Sequence, residues 1–201
     1  MAAKAYIDLL RHGETENSMR FCGSTDHALT TVGWQQMWAR VEQTPKHWQH
    51  IITSPLIRCA YFAQALAERC AIPLTQDVRL QEIHFGAWEG RSAAELMLTD
   101  ADALARFWQN PLENPPLQAE HLLHFKTRVL AAWQDIQVQF AGQNILLVTH
   151  SGVMRVLLCH LRQQPLERLL EFDVPYAAMQ TIEVRQHESS CQITLKRDSP
   201  A

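Results

Sequence analysis

The chain has 201 residues, 47% hydrophobic and 19% charged, with a formal net charge of −3. That length suits one domain, or one domain with an insertion, around a sizeable core. The slight acidity and the lack of a basic run exclude an electrostatic footprint for nucleic acid, and no apolar stretch reaches the length of a membrane span.

Along the chain, short β-like runs alternate with longer helical patterns, which predicts an α/β domain. Residues 5–10 read as a buried first strand that delivers Arg11-His12-Gly13-Glu14-Thr15 into a polar loop over residues 11–29. Thr30 or Thr31 is placed to cap a helix running to Val41, with Gly33 a weak spot near its start. A second strand ends at Thr53-Ser54. Ser54 and Pro55 then read as the cap and first turn of a helix to Cys70. Residues 79–83 suggest a short extended piece, residues 92–109 a helix, and residues 110–116 a proline-rich break. A long helix is expected over residues 119–140, then the most apolar strand, residues 144–149. A further helix opens at His150-Ser151-Gly152. Two antiparallel edge strands, near 179–185 and 191–196, close the pattern.

Three strand ends therefore carry chemistry-bearing residues: Arg11-His12, Ser54-Pro55 with Arg58 one turn on, and His150-Ser151-Gly152. In an open α/β sheet, ligands bind at the carboxyl ends of the strands. If the three strands are parallel neighbours, two guanidinium forks and two imidazoles converge on an anion-sized space. Arginines suit a phosphate monoester because they neutralise and orient its oxygens, and histidine can serve as a covalent nucleophile. The Gly13 carbonyl can hold the second ring nitrogen of His12. Gly13 itself permits close approach of a ligand. His150 in its protonated form and the helix N-terminus at Ser151-Gly152 add further donors. Glu82, between apolar neighbours and near a bound dianion, is a candidate general acid, since desolvation and negative charge raise a carboxyl pKa. From position alone it reads rather as an ordinary solvated turn carboxylate.

These segments occur in a familiar order: Arg11-His12-Gly13-Glu14-Thr15 with Asn17, Thr53-Ser54-Pro55-Leu56 with Arg58, Leu80 with Glu82, Phe85-Gly86 with Trp88-Glu89-Gly90, and Val148-Thr149-His150-Ser151-Gly152. Together they resemble the histidine phosphatase superfamily, the phosphoglycerate mutase-like branch. The resemblance implies a three-layer α/β/α sandwich with a mostly parallel sheet, spanning residues 1–201 as one domain with a helical cap insertion around 91–120. It implies His12 as nucleophile, Glu82 as proton donor, and Arg11, Arg58 and His150 around the phosphate. Asn17, Cys22 and Gly23 would lie beside them, with Ser151 and Gly152 also binding substrate. Within the superfamily the chain is most similar to the α-ribazole phosphatases of cobalamin biosynthesis, on its short length, Phe21-Cys22-Gly23 and the Phe85–Glu89 segment. One departure is that Ala119-Glu120-His121 stands where relatives carry Gly-Glu-Ser or Gly-Glu-Gly.

Alternatives on the same fold are a broad-specificity sugar or nucleotide phosphatase, a phosphoglycerate mutase and a non-catalytic scaffold. A mutase must exclude water, and this chain has little sequence for an enclosing lid beyond residues 91–120. A scaffold would be expected to lack His12 or Glu82. Although the chain has ten histidines, neither His47 with His50 nor His121 with His124 shows ligand spacing on an evident face, so no metal or other cofactor is expected. Trp34, Trp38, Trp108 and Trp133 read as core, and Trp88 as packing beneath a pocket wall. The five cysteines are scattered and unpaired in sequence, as in a reducing compartment. Lys4 and Asp8 interrupt any signal-peptide core. The expected setting is the cytoplasm, with a small phosphomonoester as partner and neither nucleic acid nor membrane. Nothing in the sequence sets the oligomeric state.

Overall fold

A computed structural model describes residues 3–44, 48–187 and 190–195. Six strands form one sheet: β1 (Ala3–Arg11), β2 (His50–Thr53), β3 (Leu74–Gln76), β4 (Ile145–Thr149), β5 (Met179–His187) and β6 (Ser190–Leu195), in the order β3-β2-β4-β1-β5-β6. The pairs β3-β2, β2-β4 and β4-β1 are parallel, while β5 runs antiparallel to β1 and β6 antiparallel to β5. The helices are α1 (Thr31–Glu42), α2 (Ile57–Cys70), α3 (Ala93–Thr99), α4 (Ala101–Gln109), α5 (Leu122–Gln139) and α6 (Ser151–Leu161).

Strand side chains alternate between faces, and both faces are apolar because both are covered. Leu9, Ile52 and Leu147 pack with Phe125 and Trp133 of α5 and Leu157 of α6. Their neighbours Leu10, Ile51, Leu146 and Val148 pack with Met37 of α1 and Phe62 and Leu66 of α2. The result is the expected α/β/α sandwich. It brings the carboxyl ends of β2, β4 and β1 side by side, with Arg11 in register with Thr149 and Thr53 with Val148.

Several elements differ from expectation. Helix α2 is capped at Leu56 without a side-chain hydrogen bond, and Ser54 does not start it. The Ser54 hydroxyl instead accepts from the Leu56 amide at 3.3 Å and meets His150 Nε2 at 2.7 Å. Residues 79–83 form no strand: Val78–Leu80 make a single 3₁₀ turn capped by Asp77, and the backbone is extended only after it, at Gln81. The stretch 92–109 is broken at Asp100, whose backbone (φ −157°, ψ 45°) is not helical, into α3 and α4. The short, largely exposed β3 was not expected at all. Trp108 is half exposed, so it is not core. His47 lies outside the described residues, as does the side chain of Cys191.

Gly13 and Gly33 need their missing side chains for each other. A Cβ on Gly13 would sit 2.0 Å from the Gly33 carbonyl oxygen, and one on Gly33 2.0 Å from the Glu14 carbonyl oxygen. The close approach expected at Gly13 is therefore made by helix α1 and not by a ligand. The same contact explains a helix-weakening glycine three residues past the Thr30 cap, whose Oγ accepts from the Gly33 amide at 2.9 Å.

Candidate active site

The three strand ends open into a cavity of about 230 Å³. His12 follows β1 directly, and its amide donates to the Thr149 carbonyl at 2.9 Å, so its backbone is fixed by the sheet. Its Nδ1 lies 2.8 Å from the Gly13 carbonyl oxygen, which can only accept. The proton is therefore on Nδ1, and Nε2 carries a free lone pair. Burial, reinforced by Arg11 and Arg58, holds the His12 imidazole well below the ordinary histidine range. His12 is neutral near pH 7, as a nucleophile must be.

Arg58 is almost wholly buried. Its Nη1 donates to the Thr25 carbonyl at 2.8 Å, its Nη2 to the Gly23 carbonyl at 2.6 Å, and its Nε to His150 Nδ1 at 3.3 Å. That last bond places the His150 proton on Nε2, where it donates to Ser54 Oγ. His150 is fully buried, and burial together with Arg58, His12 and Arg11 keeps its pKa well below normal. The expected imidazolium is thus replaced by a neutral ring, centred 5.2 Å from the His12 ring, that braces Arg58. Gly23 likewise anchors Arg58, and its amide is taken by Glu89 at 3.2 Å. It does not line the cavity, whereas Cys22 and Asn17 do.

Arg11 donates from Nη1 to the Val174 carbonyl at 2.6 Å, and its guanidinium lies 4.1 Å from the centre of the Tyr176 ring. Its Nε is buried with no protein acceptor. A buried, unmatched donor beside a neutral histidine suits an anion.

Glu82 is buried opposite, with its Oε2 accepting from the Gly152 amide at 2.9 Å and from Ser151 Oγ at 3.3 Å. The amide at the N-terminus of α6, expected to serve a phosphate, thus holds this carboxylate, because a helix start leaves amides seeking an acceptor. Gly152 is required there: a Cβ would meet Glu82 Oε1 at 2.2 Å. Ser151 and Gly152 still line the cavity.

Among the wall residues that escaped sequence reasoning are Arg20, Arg155 and Tyr176. Arg155 stands one turn beyond Ser151 on α6, so helical spacing from the His150 motif could have found it. Tyr176 lies in no motif. It arrives because Ala177 donates its amide to the His12 carbonyl and Arg11 donates its own to Ala178. Away from the histidines the cavity is lined by Phe21, Phe85, Phe107, Trp108 and three prolines, Pro111, Pro115 and Pro116. Trp88 is buried behind this wall, its ring centroid 5.2 Å from that of Phe107. Ala119 also lines it. The left-handed backbone in this segment falls on Gln118 (φ 60°), so position 119 does not demand a glycine. His121, which caps α5, and His124 in its first turn are both exposed. Among the described residues, no group of three or more His, Cys, Asp or Glu side chains is arranged to hold a metal ion, and no helix is long and apolar enough to cross a membrane.

Comparison with known proteins gives a consistent result. The sequence signature of the histidine phosphatase superfamily (branch 1) matches residues 7–196. An adenosylcobalamin/alpha-ribazole phosphatase of Escherichia coli is 28% identical over 200 residues, covering 94% of this chain and 95% of its own. A Hydrogenobacter thermophilus relative bearing the name of a phosphoserine phosphatase is 28% identical over 186 residues, 90% of this chain and 91% of its own. Among solved structures, Bacillus stearothermophilus YhfR superposes with a TM-score of 0.85 at 30% identity, covering 98% of both chains.

Proposed function

The chain belongs to the histidine phosphatase superfamily and is a phosphoric monoester hydrolase; from that premise we propose that it works through a phosphohistidine on His12, without a metal ion, on α-ribazole 5′-phosphate. The observation that carries the mechanism is the neutral His12, with Nδ1–H tied to Gly13 and Nε2 free, in one cavity with the buried Arg58, the half-buried Arg11 and Glu82. Nε2 attacks phosphorus, the bond to the leaving oxygen breaks, and Glu82 delivers the proton that the departing alkoxide needs. Water then attacks the phosphohistidine, giving its proton to the Glu82 carboxylate and releasing phosphate. Arg11 and Arg58 neutralise the transferring oxygens, the part that metal ions play in other phosphatases. Exhaustive chelation is expected to leave the rate unchanged. A loss restored by magnesium or zinc would overturn the metal-free route.

The substrate reading rests on the aromatic wall. A flat benzimidazole gains from stacking against Phe21, Phe107 and Trp108, and the segment around residues 91–120, which brings Phe107 and Trp108 of α4 to the cavity, would serve as its cap. Free cysteines 22, 59, 70 and 159 fit a reducing cytoplasm. One observation favours a second reading. Arg155 offers the cavity a cation whose Nε is fixed on the Phe172 carbonyl at 3.0 Å, and a carboxylate-bearing ester answers that charge better than a neutral nucleoside does. The test is kcat/KM for α-ribazole 5′-phosphate against O-phosphoserine, 3-phosphoglycerate, fructose 6-phosphate and a nucleoside 5′-monophosphate. The ribazole ester is expected to lead; any other ester that equals it leaves a phosphatase of broader specificity.

A further inference from the structure

Glu82 is held at two ends. Its carboxylate is gripped by the start of α6, and its main chain by a residue outside the cavity's chemistry, Arg128 of α5. Arg128 Nη1 donates to the carbonyls of Arg79 at 2.8 Å and Gln81 at 2.7 Å, and Nη2 reaches the Glu82 carbonyl at 3.2 Å. The other edge of the guanidinium forks onto Glu120, Nε to Oε1 at 2.7 Å and Nη2 to Oε2 at 2.8 Å. A guanidinium has five N–H donors, and all five are spent here. Three of them fix a segment that has no strand or long helix to fix it, since the 3₁₀ turn ends at Leu80 and residues 81–85 are irregular. Glu120 extends the tie to the leaving-group wall, because its amide donates to the His84 carbonyl at 2.9 Å and it lines the cavity together with Ala119. The pair is only about one-fifth to one-quarter exposed, so water competes little for these bonds.

We propose that the Arg128–Glu120 pair is a positioning device for proton delivery. It sets the main chain of Glu82 relative to the wall that holds the leaving group, and it acts on the departure of the alkoxide and not on capture of the phosphate. This rests on the reading of Glu82 as the general acid. A guanidinium fork is needed because three carbonyls and a carboxylate must be met in one plane. Lysine presents a point charge and cannot do so.

The test compares kcat/KM for an alkyl ester, β-glycerophosphate, with that for an activated aryl ester, 4-nitrophenyl phosphate, whose oxyanion leaves without a proton. Arg128→Ala is expected to slow the alkyl ester about 10²-fold, the scale of an ångström-level misplacement, and to leave the aryl ester near the wild-type rate. Arg128→Lys and Glu120→Gln are expected to show the same selectivity to a smaller degree, and they carry the test if Arg128→Ala folds poorly. In a Glu82→Gln background, Arg128→Lys is expected to cost the alkyl ester nothing more, because the proton donor it positions is gone. Equal losses on both esters in the Arg128 and Glu120 variants, or additive losses in the double variant, would overturn the proposal while Glu82→Gln alone remains selective. Equal losses in Glu82→Gln itself would instead overturn the general-acid reading, and the positioning role with it.

Discussion

The two ends of the cavity are built from different material. The phosphate end lies on the sheet: His12 and Arg11 at the end of β1 and Arg58 on the helix after β2 line it, with His150 after β4 bracing Arg58 from behind, each backbone fixed by strand pairing or by the first turn of a helix. The leaving-group end is made of loops and short helices: Phe21 and Cys22, the 81–85 segment, α4, and the run from Pro111 to Ala119. In the first region hydrogen bonds fix the position of nearly every polar atom. In the second, aromatic packing and a few tethers such as Glu89 and Arg128 do the holding. The difference teaches that the reaction is set by a rigid edge that tolerates little change, while specificity is set where the chain is free to vary.

If that contrast holds, substitutions at the sheet edge abolish turnover and substitutions at the wall redirect it. The largest expected effect is His12→Ala, which should remove activity on every ester, alkyl or aryl, with the melting temperature close to wild type. Residual turnover near the wild-type rate would break the contrast at its foundation. Since His12 is held neutral, its protonation is the event that stops attack. Activity is therefore fully present above its lowered pKa and is lost only as pH falls through that value. The acid limb for 4-nitrophenyl phosphate, corrected for ionisation of the ester, should lie below the ordinary histidine value of 6.5. A limb at or above it would mean that the pocket does not desolvate the ring.

Next comes Glu82→Gln, expected to lower kcat/KM for an alkyl phosphate about 10²–10⁴-fold, the scale of general acid catalysis, with a far smaller effect on kcat/KM for the aryl ester. Equal losses would place Glu82 with the phosphate-binding group. At the wall, Trp108→Ala should lower kcat/KM for an aromatic ester about tenfold, near the upper value of an aromatic contact, and leave β-glycerophosphate unchanged. A uniform loss would show that Trp108 supports the fold and not the leaving group.

The last effect is on stability and concerns Glu89. Burial alone would push its carboxyl up, but donors from Phe85, Thr25 and Ser24 outweigh burial and hold it below the ordinary carboxylate range. A depressed carboxyl lends stability that is present above the unfolded carboxylate value, about 4.3, and disappears as pH falls through the lower folded value. Glu89→Gln should cost about 2 kcal/mol at pH 7 by denaturant unfolding, the scale of charged hydrogen bonds, and the gap to wild type should close below about pH 4. A gap independent of pH would remove the charge from the account.

Legibility in the sequence divides along the same line. Leu9-Leu10 and Ile145–Val148 announce doubly covered strands, and the residues after them announce the site, because a parallel strand must end where the chain leaves the sheet. The Gly13 carbonyl as partner of His12 could be read from adjacency alone. The start of α2 could not, because Ser54 looks like a helix cap until His150, 96 residues away, claims its hydroxyl. The neutrality of His150 also depends on burial that no local pattern records. Asp100 breaks a stretch that is periodic on both sides. Tyr176 enters the site through backbone pairing of its neighbours with Arg11 and His12, far away in sequence. At Ala119, where the resemblance leads one to expect glycine, the left-handed residue is its neighbour Gln118, so the loop closes without glycine.

The central claim is that the sheet edge carries a covalent step on His12. Rapid quenching of wild-type enzyme with a ³²P-labelled aryl phosphate, followed by peptide mapping, tests it directly. The account predicts acid-labile, base-stable phosphate on the peptide containing His12, formed and lost at rates that match turnover, and no label in His12→Ala. Label on another residue, or full turnover with no phosphoenzyme at any quench time, would contradict it.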